Sequence, residues 1–83
     1  MEVTLTPEAA AELDALSEPI HGRVLRILER LALWPALSGA KPLRGSLVGH
    51  FRVRAGDYRV QFRVEGRTVI VERIGHRDGF YDE

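Results

Sequence analysis

Phe51-Arg52-Val53-Arg54-Ala55-Gly56-Asp57-Tyr58-Arg59-Val60-Gln61-Phe62-Arg63-Val64 alternates apolar and polar side chains on both sides of a Gly-Asp pair. A period of two sustained over about four to eight residues marks a half-buried strand. A two-residue loop with glycine first suits the type II′ turn that joins antiparallel strands. The stretch therefore predicts a β-hairpin pairing Ala55 with Tyr58, Val53 with Val60 and Phe51 with Phe62 on one face. Arg54 then lies opposite Arg59, and Arg52 opposite Gln61, on the other face. A slip of one residue would bury every arginine, so the apolar pattern itself specifies this register.

Downstream, Glu65-Gly66 reads as a second two-residue turn into a strand over roughly 67–74. That turn pairs Phe62 with Val69, Val60 with Val71 and Arg59 with Glu72. Upstream, Ala36 to Val48 holds Gly39, Pro42 and Gly45, with Gly49 just beyond, and has no clear period. It reads as a loop carrying Lys41 and Arg44. Before it, Ile20, Val24, Ile27, Leu28 and Leu31 recur at helical spacing, with Ser17 as the expected cap and Pro35 as the stop. Thr6-Pro7-Glu8 predicts the start of an earlier helix ending near Ser17: Thr6 caps it, Pro7 fits its first position, and Glu8 suits its dipole. Glu2 to Thr6 alternates as a first strand. The order β-α-α-β-β-β defines an α+β class, with a helical hairpin packed on a small, mainly antiparallel, twisted sheet. Residues 1–83 are expected to form one domain.

The formal net charge is zero, but its distribution is uneven. Residues 1–40 carry six acidic and three basic side chains, a net −3, whereas residues 41–77 carry nine basic and three acidic, a net +6. Such asymmetry predicts a local anion-binding face on a neutral body. Arginines placed directly opposite each other cost stability unless something neutralises them. In one reading Arg59 pairs with Glu72 and the rest is a solvated face. In the favoured reading the row binds phosphate, and RNA is the leading candidate. Trp34, beside Pro35, reads as core or partner-contact surface. Tyr58, on the inner face, reads as packing.

There is no cysteine, and His21, His50 and His76 lack ligand spacing, so no metal site is expected. The glycines sit in turns and form no phosphate-cradling loop, so no cofactor is expected. The N-terminus has no basic and apolar leader, and no apolar run approaches the roughly 20 residues of a membrane span. A soluble, cytoplasmic protein without a membrane partner is the expectation.

Three elements carry a family likeness: Leu43-Arg44-Gly45, Arg54-Ala55-Gly56-Asp57-Tyr58-Arg59, and Gly75-His76-Arg77-Asp78-Gly79-Phe80-Tyr81. In this order and at this chain length the sequence resembles the RelE/ParE superfamily of type II toxin–antitoxin toxins over essentially its whole length. The resemblance implies one of two activities. RelE-like members are metal-independent endoribonucleases that mostly cut mRNA in the ribosomal A site. ParE-like members poison DNA gyrase. The ending His76-Arg77 followed by Tyr81 is similar to the RelE type, which makes an mRNA interferase the leading expectation. A gyrase poison, or an inactive module that only binds its antitoxin, are the alternatives. On this likeness Arg52, Arg54, Arg59, Arg77 and Tyr81 are the implied catalytic set. Arg59 and the two strand arginines would hold the scissile phosphate, Tyr81 is the candidate base, and Arg77 would serve the leaving oxygen. His50 and His76, which titrate nearer neutrality, are alternative proton carriers. Lys41, Arg44, His50, Arg63 and His76 complete the expected RNA contacts. Implied partners are a cognate antitoxin, mRNA and the ribosome, with gyrase under the alternative.

Overall fold

A computed structural model describes residues 1–79. Strand β1 (Glu2–Leu5) leads into helices α1 (Pro7–Asp14) and α2 (Ile20–Leu31), followed by strands β2 (Lys41–Pro42), β3 (His50–Ala55), β4 (Tyr58–Glu65) and β5 (Thr68–His76). Short 3-10 turns cover Gly45–Leu47 and Arg77–Gly79. The strands form one sheet in the order β1-β5-β4-β3-β2, with β1 parallel to β5 and every other pair antiparallel. Both helices lie on one face. No helix among the described residues is long and apolar enough to cross a membrane.

The first hairpin has the register its alternation predicts: Ala55 opposite Tyr58, Arg54 opposite Arg59, Val53 opposite Val60, Arg52 opposite Gln61, Phe51 opposite Phe62. Gly56, at φ +63, is the first central residue of its turn, a conformation that side chains with a Cβ rarely adopt. The second hairpin departs from expectation. Its loop is Gly66-Arg67, joining Glu65 to Thr68, so Phe62 faces Val71 and not Val69. The reason is again glycine. A Glu65-Gly66 turn would force a positive φ on glutamate, whereas starting one residue later gives the first central position to Gly66, at φ +58. Moving Phe62's partner from Val69 to Val71 is a shift of two residues, which keeps the faces, and Val69 and Val71 remain in the core.

A bulge then interrupts the β4–β5 ladder between Gln61 and Phe62, leaving Glu72 without a directly opposed partner. Inserting one residue turns the strand and increases its local twist. The first helix fastens this irregularity. Thr6 accepts from the Ala9 N–H at 3.1 Å as the N-cap of α1, while its hydroxyl donates to the Glu72 carbonyl at 3.1 Å. The Ile74 N–H, beyond the reach of β1, donates to Glu12 Oε1 at 2.7 Å. Backbone groups of β5 that β1 does not reach, at the bulge and just past it, are thus satisfied by Thr6 and Glu12.

Helix boundaries also differ from the sequence reading. Helix α1 stops at Asp14. Helix α2 has Pro19, not Ser17, at its N-cap, and Ser17 contributes its carbonyl to the His21 N–H at 3.0 Å. Helix α2 ends at Leu31, four residues before Pro35. The chain then tapers through tight turns that run past the proline, Trp34 N–H bonding to the Leu31 carbonyl and Ala36 N–H to that of Leu33. The supposed loop contains β2, whose Lys41 faces Arg52 and whose Pro42 faces Phe51 at the sheet edge. A two-residue strand holding a proline has no periodicity to read, and a sheet edge is where proline is tolerated.

Between the layers, Ala9, Val24, Ile27, Leu28 and Leu31 pack against Val53, Val60, Phe62, Val69, Val71 and Ile74. Trp34 closes one end, its ring 4.7 Å from Phe51 and 5.4 Å from Phe62. Tyr58 packs from the other end, edge-on to His76 at 5.3 Å. With this face filled, the polar side chains of β3 and β4 are left to the opposite face.

Candidate nucleic-acid interface

Directly opposed residues in an antiparallel pair share a side of the sheet, so the registers lay out the outer face in rows. One row pairs Arg54 with Arg59. A middle row runs across four strands as Lys41, Arg52, Gln61 and Arg73. A third pairs His50 with Arg63. Successive rows lie about 7 Å apart along β3, two residues of strand rise.

The face is not the open row of guanidinium groups that alternation alone suggests. Arg52 is only 5% exposed and Arg59 7%, and Gln61 is closed to solvent as well. Arg54 and Arg77 are open, as are Lys41 and Arg44. Arg59 folds back over its own turn, donating from Nη1 to the carbonyls of Gly56 at 3.2 Å and Tyr58 at 3.3 Å. A sequence pattern gives the side of a strand but not the rotamer that folds a long side chain down, so this closure was not readable.

The chain's return brings Arg77 to the same end. Its N–H donates to the Asp57 carbonyl at 2.8 Å, and its guanidinium lies 3.8 Å from the Asp57 carboxylate and 3.8 Å from that of Asp78. Arg54, Arg59 and Arg77 are therefore gathered around one turn. Burial lowers the Arg59 pKa, repulsion from Arg54 and then Arg77 lowers it further, and Asp57 opposes them. A buried cation beside two others makes this turn a locus of positive field, opposed by Asp57 and, next to Arg77, by Asp78. His76 stands opposite Tyr58 and so on the helix-bearing side of β5 beside this turn, its Nδ1 accepting from the Asp78 N–H at 3.2 Å.

A second constellation occupies the other end. Glu72, swung out by the bulge, takes a contact from His50 Nδ1 at 2.6 Å and a hydrogen bond from Gln61 Nε2 at 3.1 Å on one oxygen. Its other oxygen accepts from Arg63 Nη1 at 2.8 Å. Arg63 also reaches Glu65 at 3.3 Å. The expected pairing of Arg59 with Glu72 is thus replaced: the register difference and the bulge carry Glu72 to Arg63 and His50. Burial pushes the Glu72 carboxyl up, but the bonds from His50, Gln61 and Arg63 together outweigh it and hold it below the usual carboxylate range. The same bond from Glu72 raises the Arg63 pKa.

A carboxyl whose folded pKa lies below its unfolded value stabilises the fold above the unfolded pKa, about 4.3 for glutamate, and loses that effect as pH falls through the folded value. Glu72→Gln is therefore expected to cost about 1–2 kcal/mol at pH 7. The gap to wild type should close as pH is lowered below about 4. Urea unfolding of both proteins at pH 7 and pH 3.5 checks this, and a gap independent of pH would contradict it.

Of the implied site residues, the fold brings Arg54, Arg59 and Arg77 together, sets Arg52 one row below with Lys41, and places His50 and Arg63 in the third row. Arg44 is exposed at the N-cap of the Gly45–Leu47 turn. Tyr81 lies outside the described residues. Sequence reading missed the role of Glu72. Glycine-first turn chemistry at Gly66-Arg67 would have corrected the start of its register, but nothing in the residues announces the bulge.

A family model described as the ParE toxin of type II toxin–antitoxin systems matches residues 3–79. The chain belongs to the RelE/ParE superfamily of type II toxin–antitoxin toxins. Among individual relatives, Toxin RelG of Mycobacterium tuberculosis is 44% identical over 81 residues, spanning 95% of this chain and 93% of RelG. Toxin RelE3 of Methanocaldococcus jannaschii is 42% identical over 85 residues, spanning 99% of this chain and 97% of RelE3. The solved toxin–antitoxin complex RelBE2 from M. tuberculosis holds a chain that superposes with a TM-score of 0.79 at 34% identity, over 92% of this chain and 96% of that one.

Proposed function

We propose that this toxin is an endoribonuclease that halts translation by cutting mRNA on the ribosome, without a metal ion. The observation that carries the reading is the buried Arg59 held against Arg54 and Arg77. Three guanidinium groups gathered around one turn suit a doubly ionised, trigonal-bipyramidal phosphorane. The identities of 44% to RelG and 42% to RelE3 support the RelE branch.

Cleavage through the 2′-hydroxyl needs a base at that oxygen, positive charge at the phosphorane, and stabilisation of the departing 5′-oxygen. In this reading Arg52 and Arg54 hold the scissile phosphate from β3, Arg59 supplies the field beneath it, and Arg77 faces the leaving oxygen. Tyr81 stacks on a base or takes part in proton transfer. Lys41, Arg44, Arg63 and His76 guide the flanking phosphates. A cognate antitoxin neutralises the protein in the cell, as the toxin–antitoxin nature of the RelBE2 complex suggests.

The ParE description of the matching family model favours a second reading, a gyrase poison on the same fold. Parallel assays separate them. Purified protein added to a bacterial translation extract should shorten mRNA, with cuts mapped by primer extension, and should leave gyrase supercoiling of plasmid DNA unaffected. Intact mRNA with blocked supercoiling would replace the first reading by the second.

A further inference from the structure

We propose that His50 is the proton acceptor for the 2′-hydroxyl and that Glu72 is the residue that positions it. The inference rests on the endoribonuclease reading and assigns a base within the same outer face. An arginine is a poor base because it stays protonated at any working pH, so the cation cluster alone leaves the first proton without a destination.

Three observations carry the assignment. First, His50 Nδ1 lies 2.6 Å from Glu72 Oε1, and that carboxylate is also held by Arg63 and Gln61. An ionised carboxylate can only accept, so Nδ1 carries the hydrogen and the neutral ring has its lone pair at Nε2. A carboxylate that fixes the tautomer and steadies the imidazolium formed is the standard partner of a histidine base. Second, Glu72 reaches His50 across β4 only because the bulge releases it from the ladder, and the Thr6 hydroxyl holds that bulge by the Glu72 carbonyl. Third, His50, Arg52 and Arg54 occupy one side of β3 at successive alternate positions, about 7 Å apart. A phosphate at the exposed Lys41 end of the middle row, whose Arg52 and Gln61 are themselves closed to solvent, has His50 on one side and the Arg54, Arg59 and Arg77 group on the other. Opposite sides are what an in-line displacement requires of attacking and leaving oxygens.

The step balances without a further reactant beyond water. His50 Nε2 takes the proton from O2′, the O2′–P bond forms, and the P–O5′ bond breaks. The 5′-oxygen leaves with its charge facing Arg77 and takes a proton from water. The products are a 2′,3′-cyclic phosphate and a 5′-hydroxyl, and the imidazolium returns its proton to solvent. The charged groups around His50 are Glu72 on β5, Arg63 and Glu65 on β4, Arg52 on its own strand, and Lys41 on β2.

The test is single-turnover cleavage of mRNA on programmed ribosomes between about pH 5 and 8, the range in which imidazole changes charge. Wild type should show a rate that rises with pH. His50→Gln should be slower by about 10²–10⁴-fold, the worth of general base catalysis, and should lose that rise. Glu72→Gln should retain a rise but be about tenfold or more slower, as when a partner that orients a histidine is removed. Circular dichroism melts confirm that each variant is folded at the assay temperature, and His50→Asn replaces His50→Gln if the latter is not. A His50 variant that cleaves at the wild-type rate, or one that is slowed but keeps the wild-type pH profile, overturns the assignment while the endoribonuclease reading stands. A folded wild-type protein that cleaves nothing overturns the endoribonuclease reading itself.

Discussion

Arg59→Ala is expected to lower mRNA cleavage by about 10²–10³-fold, the usual loss when one preorganised charge at a transition state is removed. It should do so without unfolding the domain. Arg59 gives the Gly56 and Tyr58 carbonyls a partner, yet it does so while buried and repelled by Arg54 and Arg77. Gly56 is exposed, so water replaces the guanidinium at its carbonyl. Truncating a side chain only 7% exposed also removes packing, and relief of like-charge repulsion offsets part of that cost. Activity and stability should therefore separate, with a melting temperature within a few degrees of wild type. Adding Arg77→Ala should remove residual cleavage. If Arg59→Ala instead unfolds the domain and the folded fraction retains full activity, the cluster is structural.

Phe62→Ala acts in the opposite sense. Its ring is fully buried at the centre of the sheet, 5.4 Å from Trp34 and 5.5 Å from Phe51. Truncating a buried phenylalanine costs about 3–5 kcal/mol, through lost transfer energy and an unfilled cavity. A domain of this size holds about 3–5 kcal/mol in its core, so the variant should be largely unfolded at 37 °C. Chemical denaturation by urea, followed by tryptophan fluorescence, measures it through Trp34, the chain's single tryptophan. Val48→Ala is the control: at 73% exposure, its loss should move the midpoint little.

The contrast between these residues shows how far the sequence could be read. Alternation from Phe51 to Val64 predicted the first hairpin residue for residue, because one buried face leaves no freedom of register. Thr6-Pro7-Glu8 located the start of α1 because cap chemistry is local. The second hairpin required choosing between two turns one residue apart, and only the φ demand at Gly66 decides it. The bulge at Gln61/Phe62 is met from the start of α1, where Thr6 bonds the Glu72 carbonyl 66 residues away. No local pattern can announce such a contact. The candidate site divides the same way. Membership of the cation face followed from strand parity, whereas burial of Arg52 and Arg59 and the capture of Glu72 by His50 and Arg63 are tertiary. The edge strand Lys41–Pro42, which turns Lys41 from a loop residue into a neighbour of Arg52, is equally a product of the assembled sheet.

The family relationship makes the chain a toxin of a type II pair, and the chemistry assigned to its outer face makes a definite claim about products. Attack by the 2′-hydroxyl leaves a 2′,3′-cyclic phosphate on the upstream fragment and a 5′-hydroxyl on the downstream one. The direct measurement is the end-group chemistry of mRNA fragments recovered from a translation extract treated with the purified protein. Downstream fragments that polynucleotide kinase can label without prior dephosphorylation, and upstream fragments that resist ligation until the cyclic phosphate is opened and removed, are the predicted result. Fragments bearing 5′-phosphates, or mRNA left intact by folded protein, would contradict it.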